Sequence, residues 1–116
     1  MKSIERQLDR LVQSMCENQY CRICGGKATA IHHIIGRSNK LFRYDIINLL
    51  PVCDKCHRLI HDKGLDAFVY VPLEVEVYLK EHKNDSYKNY LLENGMTEDD
   101  FLEECKIDLK RIKYDR

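Results

Sequence analysis

Proline and glycine are scarce in this chain of 116 residues, which has only two prolines and five glycines. Their scarcity leaves little room for a disordered linker, so residues 1–116 are expected to form a single domain. No apolar run approaches the ~18 residues that span a bilayer, and no membrane association is expected. The N-terminal segment MKSIERQLDRLVQ is charged and amphipathic, unlike a secretory signal. We therefore expect a cytosolic location, where thiols stay reduced.

Cysteine, by contrast, is well represented, with six residues in the chain. Four of them form two Cys-x-x-Cys pairs, Cys21/Cys24 and Cys53/Cys56. Each pair can place two thiolates within reach of one zinc ion, and four thiolates complete a tetrahedral structural site. Two disulfides, or a pair of redox-active motifs, are the alternative explanations. Cys16 and Cys105 lie in apolar helical patterns and are predicted to be buried free thiols.

Four of the five histidines lie close to these cysteine pairs. Adjacent residues of a strand point to opposite faces, so His32 and His33 should have different tasks. His57 and His61 are four positions apart in a predicted helix and therefore share a face, a spacing suited to binding one metal ion. A structural or merely exposed histidine is the alternative explanation, and we interpret His82 in that way.

The net charge of zero conceals an uneven distribution along the chain. Residues 21–63 carry eight basic and three acidic side chains, whereas residues 64–116 carry eight basic and thirteen acidic ones. The positive charge thus coincides with the cysteines and histidines, as expected for a protein that binds a phosphate backbone. Chance clustering in a solvated loop would produce the same distribution.

Apolar spacing and turn residues predict the order of elements as far as residue 64. The predicted segments are a helix (3–15), a zinc knuckle (21–26), a strand (28–35), a basic loop (36–44), a second strand (46–52) and a helix (54–62). Ser3 and Asp54 are the predicted helix N-caps. Pro51 is expected to break the second strand, and Gly64 is expected to end the helix.

Beyond Gly64 the pattern is mixed. Residues 65–79 fit a strand by their alternation of apolar side chains, but Pro72 could equally open a helix. A short helix is predicted at residues 85–93. The segment Thr97-Glu98-Asp99-Asp100 resembles a capping box and should start a last helix. The residues predicted for the buried face of this helix are Phe101, Cys105, Leu109 and Ile112.

Residues 21–62, which read CRICGGKATAIHHIIGRSNKLFRYDIINLLPVCDKCHRLIHD, resemble an HNH endonuclease of the His-Me finger (ββα-metal) superfamily. The three letters of that name correspond to His33, Asn48 and His57, and His61 matches an extra histidine of bacteriocin-like members. One departure is a histidine at position 32, where many members have aspartate, and this leaves the identity of the metal open. The flanking helices resemble those of phage recombination proteins of the NinG type.

The resemblance implies an α+β fold, with a small zinc-stapled ββα-metal core at residues 21–63. An N-terminal helix would lie within residues 1–20, and a mostly helical extension would occupy residues 64–116. The implied activity is metal-dependent hydrolysis of DNA phosphodiester bonds, which leaves 5′-phosphate and 3′-hydroxyl ends. The structural metal would be Zn²⁺, and the catalytic metal would be one divalent cation, Mg²⁺, Mn²⁺, Ni²⁺ or Zn²⁺.

The resemblance also implies roles for individual residues. His33 would be the general base, and Asn48 would either orient His33 or brace the hairpin. The catalytic cation would be bound by His32, His57 and His61. DNA phosphates would be contacted by Arg37, Lys40, Arg43 and Arg58, although Arg43 and Arg58 could instead be solvated surface charges.

Two alternatives to an independent nuclease remain open. The first is a non-catalytic zinc module that binds nucleic acid or a protein, which would have no need of His33, Asn48 and His57 together. The second is a subunit of a phage packaging or recombination machine, which would cut only with a protein partner docked on the acidic last third of the chain. A homodimer is also left open, and a phage-encoded protein would act in the cytosol of its bacterial host.

Overall fold

The computed structural model describes residues 2–114, which form five α-helices and one β-hairpin. In chain order the elements are α1 (Ser3–Ser14), β1 (Ala30–His33), a 3-10 turn (Ile46–Asn48), β2 (Leu49–Val52), α2 (Asp54–Lys63), a second 3-10 turn (Ala67–Tyr70), α3 (Leu73–His82), α4 (Tyr87–Glu93) and α5 (Glu98–Tyr114). The predicted α+β class, with a ββα unit between flanking helices, is confirmed. Within this part of the chain, no helix is both long enough and apolar enough to cross a membrane.

Helix α1 packs along α5 through apolar residues spaced four positions apart, as expected for the buried face of a helix. Leu8 and Val12 of α1 are buried in the same cluster as Leu109 of α5. The helix begins at Ser3, with Lys2 in the N-cap position and no side-chain cap. The prediction of Ser3 as the N-cap was therefore wrong, because the first helical turn already includes this residue.

The two strands pair antiparallel, with His32 opposite Leu50 and His33 opposite Leu49. Both strands are shorter than predicted, because residues 46–48 form a 3-10 turn in which the Asp45 carboxylate accepts a hydrogen bond from the Ile47 amide. Pro51 lies within β2 and does not break it. Both strands of a two-stranded sheet are edges, where the missing N–H of proline is tolerated.

Helix α2 follows β2 directly and begins at Asp54. Its N-cap is Cys53, whose Sγ accepts a hydrogen bond from the Cys56 amide at 3.4 Å. The prediction of Asp54 as the cap was wrong by one residue, and the Asp54 carboxylate instead accepts a hydrogen bond from the Thr29 hydroxyl at 2.8 Å. Gly64 ends the helix with a φ of 68°, as predicted.

The segment after Gly64 is helical, which resolves the choice that the sequence left open. Pro72 takes the N-cap position of α3, and Ser86 caps α4 through a hydrogen bond from the Asn89 amide. The predicted capping box is confirmed, since the Thr97 amide bonds Asp100 at 3.0 Å and the Asp100 amide bonds the Thr97 hydroxyl at 3.1 Å.

Strand β1 lies between α1 on one side and α2 on the other. Ile31 belongs to the apolar cluster shared by α1 and α5, whereas Val52 of the facing strand belongs to a second cluster beneath the cysteines. The histidines of β1 are thus held between two helices, one of which also carries histidines.

Candidate functional site

The four paired cysteines converge on one point, with their Sγ atoms all within 4.8 Å of one another. The first two come from the turn before β1, and the other two from the junction of β2 and α2. The Sγ atoms of Cys24 and Cys53 are 3.7 Å apart. A tetrahedral zinc with Zn–S bonds of about 2.3 Å requires sulfur atoms roughly 3.8 Å apart. All six cysteines are free thiols, so the cluster could hold a structural zinc.

The surroundings of these thiols determine how many protons are released when zinc binds. Burial raises the pKa of Cys56 to about 12, and hydrogen bonds with the neighbouring thiols add to that effect. Burial also acts to raise the pKa of Cys21, but hydrogen bonds from the backbone of Cys24 and Cys53 outweigh it and lower the pKa to about 6. Zinc binds thiolates, so loading of the site must release protons, above all from Cys56.

Three histidines form a second cluster beside the first. The side chains of His32, His57 and His61 each offer a ring nitrogen, and these atoms lie within 4.8 Å of one another. The Nε2 atoms of His57 and His61 are 3.0 Å apart, which confirms that the two residues share a face of α2. Ligand nitrogens about 2.0–2.1 Å from one metal ion would be roughly 2.9–3.4 Å apart. The arrangement therefore fits one divalent cation.

The pKa values of two of these imidazoles favour the neutral form that binds a metal ion. Burial lowers the pKa of His32 to about 4, and the charges of His57 and His61 lower it further in the same direction. Burial and the proximity of His61 also lower the pKa of His57. His32 is consequently neutral at pH 7, and a neutral imidazole is the form that binds metal.

His33 stands apart from this cluster, although its side chain lines the same cavity of about 460 Å³. Its Nε2 is buried and has no hydrogen-bond partner among residues 2–114. Burial and the charge of Arg37 lower the pKa of His33. A neutral imidazole with an unused nitrogen can accept a proton, which is the property that a general base needs.

Asn48 is completely buried and holds the loop of residues 36–44. Its Oδ1 accepts from the Ile35 amide at 2.6 Å, and its Nδ2 donates to the carbonyls of Ile35 and Phe42, both at 3.0 Å. Of the two roles predicted for Asn48, these contacts correspond to bracing. They fix the backbone at Ile35, before the loop, and at Phe42, near its end.

The four basic residues predicted to contact DNA have unlike surroundings. Arg37 lines the histidine cavity, is 58% exposed and lies 3.4 Å from Asp9. Lys40 is exposed near Glu98, and Arg58 is exposed with no ion pair in the described part of the chain. Arg43 is only 18% exposed and pairs with both Glu5 and Asp9. The structure therefore brings Arg37 to the cavity and turns Arg43 inward.

Asp9 is the residue that sequence reasoning missed. It projects from α1 into the wall of the histidine cavity and accepts hydrogen bonds from Arg43 and Tyr44. In the sequence it is one polar position of an amphipathic helix, where a solvated carboxylate is the usual expectation. Only the packing of α1 against β1 reveals its position, so no sequence signal could have found it.

Comparison with known families identifies the segment that carries both clusters. Residues 16–63 match the family model described as HNH endonuclease. No curated protein and no solved structure gives a significant match to the chain. Residues 16–63 are therefore similar to an HNH endonuclease domain, as the resemblance of residues 21–62 predicted. The phage-type and NinG-like character of the flanks stays a prediction.

The family match sets the general class of activity. HNH domains use a divalent metal and act as nucleases on nucleic acid, although some members are not catalytic. The matched residues include the four clustered cysteines, the three clustered histidines, His33 and Asn48. The helices outside the match are α1, which ends before it, and α3, α4 and α5, which follow it.

Proposed function

We propose that this protein is a metal-dependent endonuclease that hydrolyses phosphodiester bonds of DNA and leaves 5′-phosphate and 3′-hydroxyl ends. The observation that carries this proposal is the geometry of the cavity. Three imidazoles, two of them with lowered pKa values, could hold one cation there, and a fourth, His33, lines the same space without joining them. A module that only binds nucleic acid has no use for a separate neutral imidazole.

The side chains would divide the work in the following way. A divalent cation held by His32, His57 and His61 would supply positive charge at the phosphate and at the leaving oxygen. His33 would accept the proton of the attacking water at Nε2, the nitrogen that has no partner.

DNA is the proposed substrate because exposed basic side chains lie in the same segment of the chain as the cavity residues, and one of them, Arg37, lines the cavity. Arg37, Lys40 and Arg58 are exposed and can pair with phosphates, which gives affinity without base specificity. The phosphate contact predicted for Arg43 stays a prediction, and its ion pairs with Glu5 and Asp9 favour an internal role.

The direct test is incubation of purified protein with supercoiled plasmid in Mg²⁺, Mn²⁺, Ni²⁺ or Zn²⁺. We expect nicked or linear product with at least one of these ions and none with a chelator. Nicked and linear products also distinguish single-strand from double-strand cutting. A folded, zinc-loaded protein that binds the plasmid but leaves it intact with every ion would refute the enzyme and favour the non-catalytic module.

DNA binding is expected to weaken steeply with salt. With roughly three phosphate contacts, the slope of log K against log salt should be about −2.7. Arg37→Gln should make that slope shallower by about 0.9, because it removes one contact. Binding titrations between 50 and 200 mM salt, the range over which such contacts are sensitive, provide the measurement. A slope near zero for the wild type would contradict the assignment of these residues to DNA.

A further inference from the structure

A second cavity, of about 480 Å³, is lined by residues 41–46 and by side chains of helices α3, α4 and α5. It shares no lining residue with the histidine cavity. Its volume falls within the range of about 300–1,000 Å³ that is typical of ligand pockets. The hydrolysis proposed above uses none of its residues, so this cavity is available for a separate binding event.

Aromatic side chains form much of the wall of this acidic cavity, as the space of 480 Å³ is called below. Tyr78 of α3 packs edge to face against Phe42, with ring centroids 6.1 Å apart. Tyr90 of α4 packs in the same way against Phe101, with ring centroids 5.8 Å apart. Both phenylalanines are buried, whereas the two tyrosines are 46% and 40% exposed. Each tyrosine is therefore held by a buried ring and keeps surface for a further contact.

The polar side chains of the acidic cavity are mostly carboxylates. Among the described residues, four acidic side chains line it together with one arginine and one histidine, namely Asp45, Asp85, Glu104, Asp108, Arg111 and His82. Asp85 already lies 2.7 Å from Nδ1 of His82. Glu104 and Asp108 are exposed and four positions apart on α5, so they share a face and lie roughly 6 Å apart along the helix. Within residues 2–112 neither of them forms an ion pair.

The combination of aromatic rings and carboxylates matches the chemistry of an arginine side chain. A guanidinium stacks on an aromatic ring and pairs with a carboxylate, whereas a lysine ammonium supplies only a point charge. Burial raises the pKa of Asp45, and the charge of Asp108 acts in the same direction, so a bound cation would relieve an unfavourable concentration of negative charge.

The number of carboxylates favours a polypeptide segment over a ligand with one charge. A single guanidinium cannot pair with both Glu104 and Asp108 and also enter the cavity, so the occupant should carry several positive charges. A nucleic acid is disfavoured, because its phosphates would face these carboxylates. The surrounding sequence has the same sign of charge, since residues 64–116 carry thirteen acidic and eight basic side chains.

We propose that the acidic cavity docks an arginine-rich segment of a protein partner. One arginine would enter the cavity against Tyr78 or Tyr90, and neighbouring arginines would pair with Glu104 and Asp108. The proposal does not depend on the nuclease function, because no residue of this cavity belongs to either metal cluster or to the histidine cavity.

The first test measures binding of a fluorescent peptide of sequence GRLRLRG to the full chain at low salt, where charge pairs are least screened. The double variant Glu104→Gln/Asp108→Asn should bind it about 3- to 30-fold more weakly, as expected for the loss of two exposed charge pairs. Its control, Glu93→Gln/Glu103→Gln, removes the same charge from exposed positions outside the cavity and should bind like wild type. Plasmid cleavage and zinc content should be the same in both variants.

Two results of this titration would overturn the proposal. Equal weakening in both double variants would show that diffuse attraction between charges, and not the cavity, holds the peptide. The absence of binding by wild type would show that the cavity does not accept an arginine-rich segment. All four substituted positions are exposed, so melting temperatures close to that of wild type are expected and would confirm that each variant is folded.

The aromatic wall provides a second measurement. Wild type should prefer GRLRLRG over its lysine counterpart GKLKLKG by about 2- to 5-fold, because only the arginine peptide can stack. Tyr78→Ala/Tyr90→Ala should lose this preference, whereas Tyr20→Ala, at a tyrosine 69% exposed and outside the cavity, should keep it. If the double variant does not fold, the two single variants decide. A preference that both of them retain in full would overturn the proposal.

Two other occupants would be revealed by the same variants. A second copy of this chain could place its own basic loop in the cavity. Sedimentation would then show an oligomer of wild type that Glu104→Gln/Asp108→Asn converts to a monomer, and this result would replace the protein partner with a copy of the chain. Spermidine that binds wild type as tightly as GRLRLRG, and weakens equally in that double variant, would instead identify a small polycation as the ligand.

Discussion

Replacing Cys53 with serine is expected to unfold the hairpin and α2 rather than merely to impair cutting. Structural zinc sites contribute about 10–16 kcal/mol, which is comparable to or larger than the roughly 5–15 kcal/mol by which whole domains are stable. Beneath the cysteines lies only a small apolar cluster, in which Val52 is fully buried and Leu50 nearly so. Such a cluster cannot replace the metal. Serine is itself a good N-cap, so the start of α2 should not be the cause of any loss.

The measurement combines elemental analysis with thermal unfolding followed by circular dichroism. Wild type should contain one zinc per chain, and a strong chelator should lower its melting temperature as far as Cys53→Ser does. Cys16→Ala is the matched control, because this thiol is buried in the other apolar cluster and lies outside the cysteine site. It should retain zinc and lose roughly 1 kcal/mol. A zinc-free wild type that folds normally would show that the four cysteines have another purpose.

Features that depend on short sequence spacing were predictable from the sequence. The two Cys-x-x-Cys pairs, the shared face of His57 and His61, and the capping box at Thr97 each involve residues within four positions of one another. Local geometry of a turn or a helix then determines which atoms meet. The two cysteine pairs are farther apart in the sequence. Because a single hairpin connects them, few arrangements other than side-by-side packing of the two pairs are available.

Helix caps were predicted less well, because more than one neighbouring residue can fill the position. Asp54 is a strong N-cap by type, yet Cys53 occupies that position because the thiol must also face the other cysteines. Residues 65–79 were ambiguous for a different reason. Helix α3 lies at the periphery, where Leu73 and Val77 are 71% and 45% exposed, so its apolar residues do not mark one face.

Contacts between distant segments were not predictable. Arg43 sits in a basic loop and has the composition of a phosphate contact, but its counter-ion Asp9 is 34 positions earlier in the chain. Arg43 and Asp9 become partly buried because α1 packs on β1. The spacing of apolar residues in the sequence does not predict that packing. The candidate ligands of both metals could thus be predicted from sequence, while the ion pairs of Arg43 with Glu5 and Asp9 could not.

His33→Ala is expected to reduce DNA cleavage by at least ~10²-fold, within the ~10²–10⁴-fold that general-base catalysis typically contributes. Among the described residues that line the cavity, the substitution removes the imidazole that lies outside the cluster of His32, His57 and His61. It changes no cysteine and removes no positive charge at neutral pH, since burial lowers the pKa of His33. Zinc content and DNA affinity should therefore remain close to those of wild type.

The effect of added metal on the remaining cleavage activity distinguishes loss of a general base from loss of a metal ligand. In His57→Ala, cleavage should fall together with affinity for the catalytic cation, so excess metal should restore part of the activity. In His33→Ala, added metal should restore none, because the three-imidazole cluster is intact and the missing function is proton transfer. Cleavage rates measured across a titration of Mn²⁺ or Ni²⁺ for both variants give this comparison directly.

His82→Ala provides the matched control for histidine loss. His82 lies on α3, where its Nδ1 is 2.7 Å from Asp85, and it contributes to neither metal cluster. This variant should cut plasmid at the wild-type rate, with the same metal requirement. If His33→Ala also cut at the wild-type rate, then His33 would not be the base, whatever the fold and the zinc content proved to be. A loss shared equally by His33→Ala and His82→Ala would instead indicate a general effect on stability, which melting temperatures of the two variants would reveal.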